Sequence, residues 1–241
     1  YVSCFEGNED ARKDEESASI WREIFERNNI KGNRIFFLPA KNNWWSPGDN
    51  GPCGPDTEMF YDLTGKYTEG LSFEEYILAD ENQEVVEIWN NVFMEYEKKD
   101  GKVVGKVKKQ NVDTGAGLER LTMALQQKDN IFETDLFASI MDKINQYSKN
   151  DDIRAKRIVA DHIRTASFMI NDNVIPSNTH RGYILRRILR RAVRYADILG
   201  FDNNVLHSIS ELVVEKYVDV YPDLKENKER CNANKEKKIN K

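Results

Sequence analysis

Apolar and polar residues alternate with a period of two from Tyr1 to Glu6, which predicts a strand. After the charged stretch Gly7 to Glu16 the spacing turns helical over Ser17 to Asn28, with Ile20, Trp21, Ile24 and Phe25 on one face. Arg34 to Leu38 is a short apolar run consistent with a buried strand. From Lys41 to Pro55 two adjacent tryptophans lead into closely spaced glycines and prolines, which forbids a helix and predicts a rigid loop. Such a loop is either structural or the carrier of a site. Thr57 to Tyr61 reads as the next strand and Gly65 to Asp80 as a polar excursion at the surface.

Glu84 to Tyr96 has the most regular strand pattern: Val86, Ile88, Asn90, Val92 and Met94 form one face, Val85, Glu87, Trp89, Asn91 and Phe93 the other. Both faces are largely apolar, so the strand belongs in the middle of a sheet covered on both sides. Asn90 then points into a packed environment where an unpartnered amide is costly, and either the fold or a ligand must satisfy it. Asp100-Gly101 is a hairpin signal that returns Lys102 to Lys108 antiparallel to this strand and delivers the chain to Val112. An antiparallel sheet ending in a glycine-opened helix is the expected local architecture. Beyond the linker Asp129 to Asp135 the chain reads as wholly helical: Leu136 to Tyr147, then about Ile153 to Ile170 and Arg181 to Leu199, with Ser148 to Asp152 as a polar boundary.

Two stretches carry candidate chemistry. Val112 to Leu121 reads V-D-T-G-A-G-L-E-R-L. Asp113 and Thr114 can cap a helix start, Gly115 and Gly117 clear side chains from the backbone, and Leu118 and Leu121 open an apolar stripe. A carboxylate and an arginine beside a glycine-lined helix start can hold an amine and a phosphate in one small site, although an ordinary capped helix with a solvated Glu119-Arg120 pair fits the segment as well.

In the last predicted helix, Ile184, Leu185, Ile188, Leu189, Ala192, Val193 and Ala196 line one side, and Arg186, Arg187, Arg190, Arg191 and Arg194 occupy an arc of roughly 140° on the other. No acidic residue lies between Asp172 and Asp197, although the chain holds 41 acidic against 36 basic residues and a net charge of -5. Like charges at this spacing repel, so the arginine arc calls for a polyanion, nucleic-acid phosphate ahead of pairing with the acidic N-terminal half. His162 on the preceding helix reads as a hydrogen-bonded structural residue.

With 241 residues, 39% of them hydrophobic, the chain is long enough for one large domain or two small ones. No apolar run approaches a membrane span and no signal-peptide pattern opens it. Cys4, Cys53 and Cys231 form neither a C-x-x-C pair nor a set with histidine, so they are expected to be free thiols in a reducing, cytoplasmic setting, and no metal site is firmly assignable. There is neither a G-x-x-x-x-G-K-[ST] loop nor a full G-x-G-x-x-G, which disfavours an unrelated ATP-binding fold. The start at Tyr1, in mid-strand and without methionine, reads as that of a fragment.

N-N-W-W-S-P-G-D-N-G-P-C-G-P-D-T-E, E-I-W-N-N-V-F-M, V-D-T-G-A-G-L-E-R, and D-H-I-R followed by P-S-N-T-H-R-G-Y-I-L-R-R-I-L-R-R-A-V-R, in this order, resemble the alanyl-tRNA synthetase family of class II aminoacyl-tRNA synthetases up to about Leu224. The resemblance implies an α+β fold: a class II antiparallel sheet flanked by helices and incomplete at its N-terminus (1-147), an all-helical tRNA-recognition domain (148-224), and a frayed or disordered tail (225-241). It implies ATP-dependent activation of alanine and transfer to tRNA(Ala), with ATP and Mg2+ as cofactors.

Asp113 then matches the carboxylate that binds the alanine ammonium and Asn90 the amide that orients the amino acid. Trp45, Val92 and Gly115 match the walls around the substrate methyl. Arg120, with Gly117, matches the ATP-phosphate site, and Glu87 is a candidate for magnesium. Asn178 matches a residue that reads the acceptor-stem G-U pair, with Arg186, Arg187, Arg190, Arg191 and Arg194 along the stem phosphates. The family's first two motifs would precede Tyr1, and its zinc-bearing editing domain and C-terminal domain would follow Leu224. Asn173 stands where the family usually has glycine. The isolated chain is therefore expected to bind acceptor-stem RNA but to activate little alanine, and a non-catalytic paralogue that binds tRNA-like stems is the alternative.

Overall fold

The computed structural model of the chain describes residues 1-226. The expected frayed tail falls almost wholly outside the described residues, as does Cys231. The chain divides into two compact units, Tyr1-Ile131 and the residues from Phe132 onward.

The first unit is built on a sheet. Strand β1 (Val2–Phe5) is followed by helix α1 (Glu15–Arg27), capped by Asp14 through Ser17 N, and by β2 (Ile35–Leu38). This crossover makes β1 and β2 parallel, while the other described pairings are antiparallel, so the sheet is mixed where an antiparallel one was expected. The helix covers β1 and β2 with Ala18, Trp21 and Phe25. Ile20 is 54% exposed and Ile24 also faces outward, because both lie well around the helix from the Ala18 line that meets the strands.

Strand β3 (Trp44–Trp45) pairs with β4 (Gly51–Asp62), and the sheet order is β2-β1-β4, then β5 (Val85–Lys99) and β6 (Lys102–Ala116). Strand β5 lies between β4 and β6, one strand in from the β6 edge, and is mostly half-buried, where a strand in the middle of the sheet covered on both sides was expected. Much of the expected loop at 41-55 is in fact strand. Glycine and proline are compatible with extended backbone at an irregularity, and the β4-β5 register shifts between Cys53 and Asp56. There the strands approach so closely that a Cβ on Gly54 would lie 1.8 Å from the carbonyl oxygen of Phe93. The expected polar excursion at 65-80 contains helix α2 (Phe73–Glu81), which a Ser72-Glu75 capping box starts and which buries Tyr76 and Ala79.

The largest correction concerns the stretch that ends the sheet. Strand β6 runs on to Ala116, paired with Trp89, so Asp113 and Thr114 are strand residues rather than helix caps. The Thr114 hydroxyl accepts from Trp89 Nε1 at 2.6 Å and donates to Asn91 Oδ1 at 2.8 Å, which holds it to β5. Helix α3 (Leu118–Leu125) starts from Gly117 with no side-chain cap, and it buries Met123 and Ala124 while Leu118 is 58% exposed.

The second unit is helical throughout its described residues: α4 (Ala138–Tyr147), α5 (Ile153–Asn171), α6 (His180–Leu199), α7 (Asn203–Tyr217) and α8 (Asp223–Glu226). The division into compact units falls before α4, not at 148, because α4 packs its buried Ile140, Met141 and Ile144 face with α5 and α7. Helix α5 packs along α6, with Ala166, Ile170, Val174 and Leu185 in one cluster. No described helix is long and apolar enough to cross a membrane.

Candidate functional site

Three adjacent strands set out the site as two rows. Glu58 on β4 pairs with Asn90 on β5, which pairs with Gly115 on β6. Asp56 pairs with Val92, which pairs with Asp113. Directly paired residues point to the same face, so Asn90, Val92, Asp113 and Gly115 share one surface of the sheet. Val92 is buried and Asp113 exposed. A Cβ built on Gly115 meets nothing within 4 Å, so the face is open above it. Trp45 is not in these rows; it pairs with Gly54 in the neighbouring ribbon and is 38% exposed, while Trp44 packs against Phe5 and Tyr96.

The fold satisfies Asn90 only in part. Its Nδ2 donates to Glu58 Oε1 at 3.1 Å, whereas its Oδ1 is buried without a hydrogen-bond partner. That leaves a desolvated acceptor aimed at a donor that the described residues do not supply. Glu58 also accepts from Ser3 Oγ at 3.3 Å. Burial, reinforced by the nearby Glu87 and Asp56 carboxylates, pushes its pKa up to about 8. Burial likewise raises Asp56 to about 6, against hydrogen bonds such as that from Asn43 Nδ2 at 2.8 Å.

Arg120, one turn into α3, donates through Nη1 to Glu87 Oε2 at 3.1 Å and to the Glu87 carbonyl at 3.2 Å. A cavity of about 270 Å³ lies over this pair, lined by Lys41, Asn42, Glu58, Asp80, Glu87 and Arg120 among others. Gly117 faces the Arg120 side chain, which a Cβ there would touch at 3.6 Å. The predicted Arg120 and Glu87 are thus brought together, and Glu58 links them to Asn90. Sequence reasoning missed Glu58, Asp56 and Asn43 as members of the site. The visible signal was the pair of carboxylates two apart in D-T-E within an otherwise apolar strand, but only the register reveals that they face Asn90.

In the helical unit Arg187, Arg190, Arg191 and Arg194 are exposed along α6 and Arg186 is half-buried. None of these five is ion-paired among the described residues. Arg186 Nη1 donates to Asn178 Oδ1, and Arg191 lies over the Tyr195 ring at 5.7 Å. Asn178, Tyr183, Arg186, Arg187 and Arg190 enclose an open cavity of about 420 Å³. Ile184 departs from the expected buried side: it is 46% exposed, at the edge of the stripe that Leu185 and Ala192 bury. His162 Nδ1 lies 2.9 Å from Asp161 Oδ2, a local hydrogen bond as expected.

The family model described as tRNA synthetases class II (A) matches residues 1-238. An alanine-tRNA ligase of Treponema denticola is 44% identical over 234 residues, covering 93% of this chain and 38% of the relative. One of Borrelia hermsii is 42% identical over 242 residues, covering 97% and 40%, and one of Fusobacterium nucleatum 41% over 224 residues, covering 90% and 25%. The chain thus spans two fifths or less of the length of these curated relatives. With essentially its whole length matched by one model, this chain belongs to the class II (A) tRNA synthetase family.

Proposed function

We propose that the chain supplies the amino-acid half of the active site and an RNA-binding surface of an alanine-tRNA ligase, which condenses alanine with ATP and passes the alanyl group to tRNA(Ala). The reading rests above all on the two cross-strand rows that set Asn90, Val92, Asp113 and Gly115 on one open face. Asp113 neutralises the substrate ammonium, and the orphan Oδ1 of Asn90 accepts one of its hydrogens. Val92, Gly115 and Trp45 bound the space for a methyl. Such a pocket excludes larger side chains by clash, but rejects glycine by only about 1 kcal/mol, the worth of one buried methyl.

Arg120 is suited to hold phosphate because it is a permanent cation with forked donors, and Glu87 keeps it paired until phosphate competes. Gly117 leaves room beside it. The carboxylates of Asp80 and Glu87, lining one cavity with Glu58, fit a magnesium ion that takes one or two protein oxygens and completes its shell with phosphate and water. Among the described residues no three acidic, histidine or cysteine side chains are arranged to hold a metal unaided. Glu87 would hold the ion, which when bound with ATP supplies charge neutralisation at the phosphates. The exposed arginines of α6, with Asn178, grip the acceptor stem.

The test joins this chain to an N-terminal segment bearing the family's first two motifs and measures exchange of pyrophosphate into ATP. Exchange that requires alanine and falls by at least about 100-fold in Arg120→Ala supports the reading. A folded protein with no alanine-dependent exchange refutes it.

A further inference from the structure

Four strands line up a row of side chains across the sheet. Ser3 on β1 pairs with Glu58 on β4, Glu58 with Asn90 on β5, and Asn90 with Gly115 on β6, so the row runs from the buried Ser3 to the open face above Gly115. At its closed end Asn43 donates through Nδ2 to Asp56 Oδ1 and to Ser3 Oγ, each at 2.8 Å, which engages both hydrogens of that amide. Ser3 Oγ in turn donates to Glu58 Oε2 at 3.3 Å, and Glu58 Oε1 accepts from Asn90 Nδ2 at 3.1 Å. Asn43, Ser3 and Asp56 are buried, so water does not compete for these partners.

A primary amide has an acceptor end and a donor end, and at position 90 the choice decides what the site can bind. With Nδ2 held by Glu58, the end left over is Oδ1, which has no partner among the described residues and can accept from an ammonium. Turned over, the amide would set its oxygen against Glu58 Oε1 and offer two hydrogens that an ammonium cannot accept. Oε1 stays an acceptor whether the carboxyl is ionised or carries its proton on Oε2, where the Ser3 oxygen can take it. Asp56 stands beside the same amide: burial raises its pKa, and hydrogen bonds from Asn43 and Asn90 oppose the rise. Both hydrogens of Asn90 Nδ2 thus have carboxyl oxygens of β4 to meet.

We infer that Glu58 is a positioning residue for amino-acid recognition: by accepting from Nδ2 of Asn90 it fixes the sense of the amide, so that the site presents an acceptor and takes its substrate through a protonated amine. The inference rests on the reading of Asn90 as an amino-acid ligand and adds the residue that sets its polarity. Glu58 also lines the cavity over Glu87 and Arg120, so a direct part in binding ATP is the competing role.

The experiment measures pyrophosphate exchange in the complete protein, with the family's first two motifs present, and reads kcat and the KM for alanine and for ATP. The proteins compared are the parent, Glu58→Met, Glu58→Gln, Asn90→Ala, and Glu58→Met combined with Asn90→Ala. Glu58→Met, similar in size but without the acceptor, raises the KM for alanine about 3- to 10-fold, the worth of one hydrogen bond, and leaves kcat and the KM for ATP near those of the parent. Glu58→Gln keeps an oxygen that can face Nδ2 and stays within about 2-fold of the parent. In the Asn90→Ala background Glu58→Met raises the KM no further, because no amide is left to turn.

An effect of Glu58→Met that persists in full in the Asn90→Ala background, or that falls on the KM for ATP, overturns the positioning role while the active-site reading stands. A loss in Glu58→Gln equal to that in Glu58→Met overturns it as well. Should Glu58→Met fail to fold, the parent still decides. Followed by NMR, the Nδ2 hydrogens of Asn90 exchange with solvent more slowly than those of the exposed Asn178, and equally rapid exchange contradicts the inference. A folded parent without alanine-dependent exchange removes the active-site reading and this role with it, and slow exchange of the Asn90 hydrogens would then place the failure in the reading rather than in the bond.

Discussion

Asn90 is half satisfied among the described residues, and the proposed site gives the other half of its amide to the substrate. Replacing it by alanine removes both the link to Glu58 and the buried acceptor, and alanine-dependent exchange should drop about 10- to 150-fold in kcat/KM, as for one hydrogen bond to a charged group. Glu58 makes a separate prediction. Its folded pKa, about 8, lies above the ordinary carboxyl value, so between roughly pH 5 and 8 the folded state holds a proton that the unfolded state has released. Stability therefore falls as pH rises through this window. Glu58→Gln should melt increasingly above the parent as pH is raised toward 8, and a melting difference independent of pH would refute the assignment. Asn90 and Arg120 were legible in sequence as candidates because an amide in an apolar strand and an arginine after glycines are local anomalies. Glu58 was not, since its meaning depends on which residue of another strand it faces.

At the scale of elements, two close approaches carry both site and surface. The β4-β5 irregularity brings Gly54 against the Phe93 carbonyl, and the 175-179 segment lies on Gly182. Gly54→Ala or Gly182→Ala should each cost about 1-3 kcal/mol in chemical denaturation. Substitutions at either site that leave stability unchanged would show that the backbones are not held so tightly.

Helix α6 was readable almost residue by residue, because its arginine and aliphatic arcs follow the helical period. The end of β6 was misread. Asp113, Thr114 and Gly115 have the composition of a helix cap, but pairing with Trp89 to Val92 extends the strand past them. Loop signals held at 41-43 and 46-50 but failed at 44-45 and 51-55 for the same reason: cross-strand pairing overrode the local preference there.

For the molecule as a whole, a net charge of -5 coexists with an arginine arc that makes no ion pair among the described residues, so RNA affinity should depend steeply on salt in spite of the acidic total. Removing any one of Arg187, Arg190, Arg191 or Arg194 should reduce the slope of log affinity against log salt by about one where that side chain meets phosphate. A flat salt response would contradict the role given to α6. The central claim is that the first unit recognises alanine and ATP, and alanine-dependent exchange of pyrophosphate into ATP tests it most directly. For the chain joined to the family's first two motifs, the account predicts exchange with alanine, weaker exchange with glycine, none with larger amino acids, and loss of the alanine signal in Asp113→Asn. Exchange that is absent in the folded protein, or that persists undiminished in Asp113→Asn, would contradict it.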